Sequence, residues 1–465
     1  MPEQTMTENK MGVMPIKRLL ITMSLPMIIA MLVQALYNIV DSAFVGKFSS
    51  NALTAVTLAF PIQNLMIAVA TGTGVGINAL LSRSLGEKKM KEVNLAANNG
   101  ILLAILSAIA FAIFGMFFSN AFFKSQFSAQ DLLNDPINSM QIIEYGTTYL
   151  SICTIFSFGI FIEIIMERLL QATGKTFYTL ITQGTGAIIN IILDPIFIFG
   201  LLGFPKMGVA GAAIATVIGQ IIAMILSIYF NVYRNKELKI GIRYLRPHFP
   251  TLKNIYAVGL PSIIMQSISS IMTFGMNGIL MKFSVTAVNV FGIYFKLQSF
   301  VFMPIFGLCN GFVPIVAYNY GARKPKRIMS VFKFALQLVV SFMLLGLIAF
   351  QVIPDHLLKI FNDSKEMLEL GIPALRVISL SFLFAGFNIV IISLFQALGH
   401  GFISMIISIA RQLLIILPVA FILAELFGIH AVWIAFPIAE AVAVVLCFLY
   451  LKKVYKKNIA PLSVK

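Results

Sequence analysis

The chain has little of what a water-exposed surface needs. Charged residues make up 11% of its 465 residues, where a soluble domain carries about 25%. Acids are scarcest, 18 against 34 Lys+Arg, for a formal net charge of +16. There is one tryptophan, the 3 cysteines (Cys153, Cys309, Cys447) lie apart in apolar runs with no CxxC or CxxH spacing, and the 4 histidines are scattered. Neither a metal centre nor a disulfide framework is implied. No run alternates polar and apolar residues as a membrane β-barrel would. No nucleophile–base arrangement suggests an enzyme. The basic excess is not that of a nucleic-acid binder, because the Lys and Arg residues gather between long apolar stretches.

Those stretches dominate. Hydrophobic residues are 59% of the chain, with 41 phenylalanines. A bilayer core needs about 20 apolar residues per helix, and twelve segments qualify: 18–44, 51–81, 93–118, 141–167, 177–202, 207–232, 254–281, 287–318, 329–353, 371–398, 402–424 and 430–451. The polar start, Met1 to Arg18, runs into a full-length span, so no cleavable signal is expected. With both termini inside, the inner segments hold 25 Lys+Arg and the outer loops hold 6: Lys47, Lys124, Lys206, Lys282, Lys359 and Lys365. That bias predicts cytoplasmic ends.

The halves repeat. Leu25-Pro26 aligns with Leu260-Pro261. Without a gap, Lys47-Phe48-Ser49 then meets Lys282-Phe283-Ser284, and Gly72, Gly76 and Gly86 meet Gly307, Gly311 and Gly321. Further on, Leu170-Gln171-Ala172 with Gly174 meets Phe395-Gln396-Ala397 with Gly399. A parallel repeat of six spans predicts an all-α integral membrane protein of twelve helices. Two six-helix lobes would be related by a pseudo-two-fold axis along the membrane normal. The expected division is 1–232, a cytoplasmic linker 233–253, and 254–465.

The segments SLPMIIAMLVQALYNIVDSAFVG (24–46), NIILDPIFIFG (190–200), GVAGAAIATVIGQ (208–220) and YNYGAR (318–323) resemble the multidrug and toxic compound extrusion transporters, the MATE family, and the likeness runs over nearly the whole chain. The resemblance implies alternating access and export of organic cations against a proton or sodium gradient, in a bacterial plasma membrane.

Ionisable groups inside a span are functional candidates by default. Asp41, Asn190, Asp194 and Thr216 lie at similar depth in three spans, and Gln34, Tyr37 and Asn38 continue the Asp41 face. The repeat places Met276, Leu413, Leu417 and Phe436 opposite Asp41, Asn190, Asp194 and Thr216. Generic packing would have kept some polarity in both halves, so the four read as an ion site. Such a site suits either a shared proton or sodium among hard oxygens. The family resemblance carries cation coupling in some members onto the same four residues.

In the second half Lys296, Arg411 and Glu440 read as one self-neutralising charge cluster. Spans seven and ten lack the carboxylates that some relatives carry there. Glu163 and Glu167 read as a solvated helix end. Pro26 shares a helix with Asp41 and is the candidate hinge. Gly72, Gly74 and Gly76 suggest close helix packing. With Gln34, Tyr37 and Asn38, the aromatic and methionine positions Phe60, Met272 and Phe291 are the candidate substrate cavity.

The expectation is a monomeric antiporter without cofactor, its partners membrane lipid and small amphipathic cationic drugs or toxins, not nucleic acid. A flippase for lipid-linked precursors is the alternative on the same architecture. An impermeant thiol reagent applied from outside should leave an Ile240→Cys variant unlabelled; labelling would overturn the topology.

Overall fold

The computed structural model describes residues 8–128, 135–241, 244–361 and 364–463. Among them there are helices and no strands. Lipid offers no partner to a free N–H or C=O, so each span closes its own backbone hydrogen bonds. Ten helices are long and apolar enough to cross a bilayer, and two bent pairs bring the number to twelve. In chain order they are α1 (Ile16–Phe48), α2 (Ser50–Gly86), α3 (Met90–Phe117), the bent pair α4 (Pro136–Ile155) and α5 (Phe158–Ala172), α6 (Thr176–Phe199), α7 (Val209–Tyr233), α8 (Phe249–Met281), α9 (Val285–Gly321), α10 (Pro325–Val352), the bent pair α11 (Lys365–Ser379) and α12 (Phe382–Ala397), α13 (Gly401–Phe427) and α14 (Ile429–Leu462). Every expected span is present. At 1.5 Å per residue, helices of 33 and 37 residues exceed a bilayer core of about 30 Å, so they tilt or project beyond it.

The repeat is visible as duplicated turns. After α2, Lys88 has φ 59°, the Lys88 N–H donates to Leu85 O (3.1 Å) and the Lys89 N–H to Ser84 O (3.0 Å). After α9, Arg323 has φ 54°, with Arg323 N to Tyr320 O at 3.1 Å and Lys324 N to Asn319 O at 2.9 Å. After α5 and α12, Gly174 (φ 84°) and Gly399 (φ 85°) close equivalent pairs: Lys175 N to Leu170 O and His400 N to Phe395 O, both 2.7 Å. Glycine suits these left-handed positions because it has no Cβ.

The two bends also correspond, 45° between α4 and α5 and 47° between α11 and α12. Neither contains a proline. The i−4 ladder is interrupted at Phe156-Ser157 and Leu380-Ser381, where Ser157 and Ser381 N–H groups bond three residues back, to Thr154 O (3.2 Å) and Ile378 O (2.9 Å). Gln351 satisfies the exposed Arg376 carbonyl at the second bend (2.7 Å). Between Ala410 and Ile416, α13 widens into a π-helix just before Pro418, which cannot donate to the turn below.

The chain divides into two compact units: Ile29–Leu81 with Met90–Ile255, here the first-half unit, and Met1–Ile28 with Ser82–Lys89 and Tyr256–Lys465, the second-half unit. The stretch between α7 and α8 is strapped to the start of α3. Asn94 accepts from Lys239 N (2.8 Å), Asn98 donates to Lys239 O (3.0 Å) and Asn99 accepts from His248 N (2.9 Å).

Within the second-half unit, glycines admit backbone to backbone. A Cβ on Gly307 would meet Ile28 Cα at 2.6 Å, and one on Gly311 the Ser24 hydroxyl at 2.5 Å. Ser24 donates to Leu308 O at 3.1 Å. The repeat partners Gly86 and Gly321 cross, so a Cβ on either would collide with the carbonyl of Tyr318 or of Arg83. In the first-half unit Gly74 lies under Arg168 Cγ, at 2.7 Å from a built Cβ. In the second-half unit Lys324 binds Glu8 and the Gly12 carbonyl, and the hydrogen bond to Glu8 holds its carboxyl below its usual range.

Gly321→Ala should therefore destabilise the detergent-purified protein by about 1–3 kcal/mol, the range for overpacking. Gly278→Ala, whose Cβ would meet nothing within 4 Å, should leave it unchanged or slightly raised. Thermal unfolding of both variants checks this; equal midpoints would refute the crossing.

Candidate functional site

In the first-half unit, α1, α5, α6 and α7 converge on a polar pocket. α1 contributes Gln34, Tyr37 and Asp41, three and four residues apart and so on one face. Asn190 and Asp194 lie one turn apart on α6, and both are buried, Asp194 fully. α7 supplies Thr216. With the Asn190 amide assigned by its hydrogen-bond partners, its nitrogen is 3.2 Å from Asp194 Oδ2 and its oxygen 3.2 Å from both the hydroxyl and the backbone N of Thr216. That orientation satisfies every group it meets.

The Asp41 and Asp194 carboxyls lie in hydrogen-bond contact with each other. Asp41 Oδ1 is sealed from solvent and meets no donor among the described residues. Two carboxylates so placed are held together only by a shared proton or by a cation between them. Beside them is a cavity of about 90 Å³ whose walls include Gln34, Tyr37, Asn190 and Thr216. That is room for a few waters or a small cation, with hard oxygens on several sides. Among the described residues no group of three or more His, Cys, Asp and Glu gathers as a metal cluster.

Glu163 and Glu167 line the same cavity, which corrects the reading of a solvated helix end. Glu167 is 2% exposed; its Oε1 accepts from the Thr182 hydroxyl at 2.5 Å and its Oε2 from Gln183 Nε2 at 2.7 Å. The reason is the tight turn at Gly174, which folds α6 straight back along α5 and covers the face that four-residue spacing had left open. Of the other cavity candidates, Gln34 and Tyr37 face this space. Asn38 and Phe60 are exposed and are not on its wall, Phe60 at 60%. Met272 and Phe291 are buried in the second-half unit; Phe291 packs against Tyr294, Phe295, Trp433 and Phe436 and also lines a separate cavity in that unit.

The second-half charges separate. Arg411 Nη1 donates to Glu440 Oε1 at 2.6 Å. The other arm of Glu440 is held not by Lys296 but by Asn388, whose Nδ2 donates to Oε2 at 2.7 Å and to the Glu440 carbonyl at 3.1 Å. Lys296 is not part of this group; its Nζ stands 5.7 Å from the centroid of Phe361. Similar depth did not bring Lys296 to Glu440, because depth leaves the direction around the helix axis open. Arg411 reaches Glu440 from within the π-helical turn. Asn388 is the residue that the sequence reading missed, although it stands alone as a polar residue in the run FLFAGFNIVII (382–392).

A sequence profile described as MatE matches residues 26–196 and 261–422, one block in each half of the repeat. The multidrug export protein MepA of Staphylococcus haemolyticus is 27% identical over 420 residues, covering 90% of this chain and 89% of that protein. MepA of Staphylococcus aureus is 27% identical over 428 residues, covering 92% and 91%. Among solved structures, the outward-facing conformation of a multidrug resistance MATE family transporter of the MOP superfamily is similar with a TM-score of 0.90, at 25% identity and over 100% of both chains.

Removing one partner of a buried ion pair costs about 3–5 kcal/mol, because the other charge stays behind. Arg411→Met and Glu440→Leu should each destabilise the protein on that scale, and the double variant should be more stable than the worse single. Unfolding in detergent decides this. A double variant worse than both singles would mean the pair is not self-neutralising.

Proposed function

The chain belongs to the MatE family and is a multi-pass membrane transporter, and from that premise we propose that it is an antiporter of the bacterial plasma membrane that exports amphipathic organic cations in exchange for protons or sodium ions. The observation that carries this reading is the Asp41–Asp194 carboxyl pair beside a small cavity. Its support from Asn190 and Thr216 has no counterpart at Met276, Leu413, Leu417 and Phe436.

A driving ion shifts a conformational equilibrium only through groups whose affinity differs between states. Carboxyls in a dry site can do this; Met, Leu and Phe cannot. In the proposed cycle the pair takes up its ion on the outer side, which releases the drug. Loss of the ion inside restores negative charge and lets a cation bind again, drawn by Glu163 and Glu167 on the same cavity, with Gln34 and Tyr37 on its wall. Two protons entering per monovalent drug leaving would carry one net charge. The membrane potential would then contribute about 2.3 kcal/mol per 100 mV.

Pro26 is the proposed hinge. It lies just before the point at which α1 passes from the second-half unit to the first-half unit, between Ile28 and Ile29. Ser24, Met27 and Ile28 are gripped by the glycine face of α9, so freedom of movement in α1 begins next to the proline. Arg411, Glu440 and Asn388 are assigned a structural part.

Asp41→Asn and Asp194→Asn should each abolish gradient-driven efflux while membrane abundance stays at the wild-type level. Glu440→Gln should be milder in transport or lower in abundance. Proteoliposomes given a proton gradient alone and a sodium gradient alone identify the ion in the wild type. If Asp41→Asn pumps normally under either gradient, the pair is not the coupling site.

A further inference from the structure

A second cavity, of about 440 Å³, lies within the second-half unit. Its volume is in the range of sites for drug-sized molecules, whereas the first-half cavity is not. α8 contributes Asn277, and α9 contributes Asn289, Gly292, Phe295 and Lys296, with Phe361 from the following outer segment. Asn289, Gly292 and Lys296 are three and four residues apart, so they form one face of α9. A Cβ added at Gly292 would meet nothing within 4 Å, which leaves the space between Asn289 and Lys296 open.

The charge of this cavity is the opposite of the first. No carboxylate is among the described residues that line it. Lys296 lies about 16 Å along α9 from its start, at 1.5 Å per residue, well inside the span. Its ammonium has the ring of Phe361 at 5.7 Å and no ion pair or hydrogen bond with any described residue. A cation at membrane depth without a counter-ion among the described residues is costly to keep and marks a ligand path by default. Ring contact offsets only part of that cost. The Arg411–Glu440–Asn388 group is complete without Lys296, so the lysine is not a spare member of it.

We propose that this cavity binds the anionic head of an amphipathic molecule, a phosphate or carboxylate on an apolar body. Lys296 pairs with the anion. Asn277 and Asn289, on facing helices, supply amide donors for the remaining oxygens, and Phe295 and Phe361 cover the apolar portion. Gly292 keeps the floor clear. The molecule is either a membrane lipid seated in the protein or a transported compound carrying an anionic group; the recognition chemistry is shared. The site is independent of the Asp41–Asp194 reading, whose test is gradient-driven cation efflux.

The test uses the full chain purified in non-ionic detergent and two probes, dodecyl phosphate and dodecyl trimethylammonium. Dodecyl phosphate should bind saturably. Lys296→Gln should weaken it at least ten-fold, Lys296→Arg should stay within about three-fold of wild type, and Gly292→Leu should weaken it as Lys296→Gln does. Dodecyl trimethylammonium should bind all four proteins alike. Should Lys296→Gln fail to give a monodisperse protein, Gly292→Leu, which adds its side chain to open space, carries the test alone.

Equal binding of dodecyl phosphate to wild type and to the folded variants overturns the proposal, as does an absence of saturable binding to wild type. In proteoliposomes, gradient-driven movement of labelled dodecyl phosphate identifies a transported compound. Binding without such movement identifies a lipid occupant.

Discussion

Removal of water is the constraint on which the whole molecule depends. A peptide group in lipid must find its partner inside the protein, and a charge in lipid must find a counter-charge, a proton or a wet cavity. The first requirement makes nearly every described residue helical. The second sorts the few intramembrane charges into kinds. Arg411 and Glu440 neutralise each other at 2.6 Å with Asn388 as a third hand. Asp41 and Asp194 face each other with no cationic side chain among the described residues beside them. Lys296 faces a cavity with no anion among its described lining residues. The first arrangement is closed and suits packing; the other two are open and suit ligands.

The internal repeat sharpens this division. Both halves were drawn from one plan, as the duplicated turns at Lys88 and Arg323 and at Gly174 and Gly399 record. What differs between them is therefore informative in a way that a single charged residue is not. Acids and amides have been kept where α1, α6 and α7 meet, and their counterparts are Met, Leu and Phe. The second half has put its polarity elsewhere, on α9, α12, α13 and α14.

Local departures from regular helix fall where this polarity lies. The bend between α4 and α5 sets the direction of α5, and with it Glu163 and Glu167. The corresponding bend precedes α12, which carries Asn388. The π-helical turn contains Arg411. Irregular backbone is tolerated at membrane depth only where protein groups take up the freed carbonyls and amides, and Ser381 and Gln351 do so at the second bend.

The sequence by itself determined the twelve spans, the parallel repeat and the depth of each polar residue. Hydropathy and residue count along an axis follow from composition and a fixed rise of 1.5 Å per residue. It was enough to bring Asp41, Asn190, Asp194 and Thr216 together, because three helices sharing one depth and one polar face have few other ways to satisfy them. Only the tertiary structure decided what each polar side chain points at. Glu167 is covered because α6 turns back sharply at Gly174. Glu440 takes Arg411 and Asn388, while Lys296, at similar depth, looks toward Phe361. The bends carry no proline to announce them. Those outcomes depend on the rotation of each helix about its own axis, which is set by the packing of neighbouring surfaces and cannot be read from one strand of text.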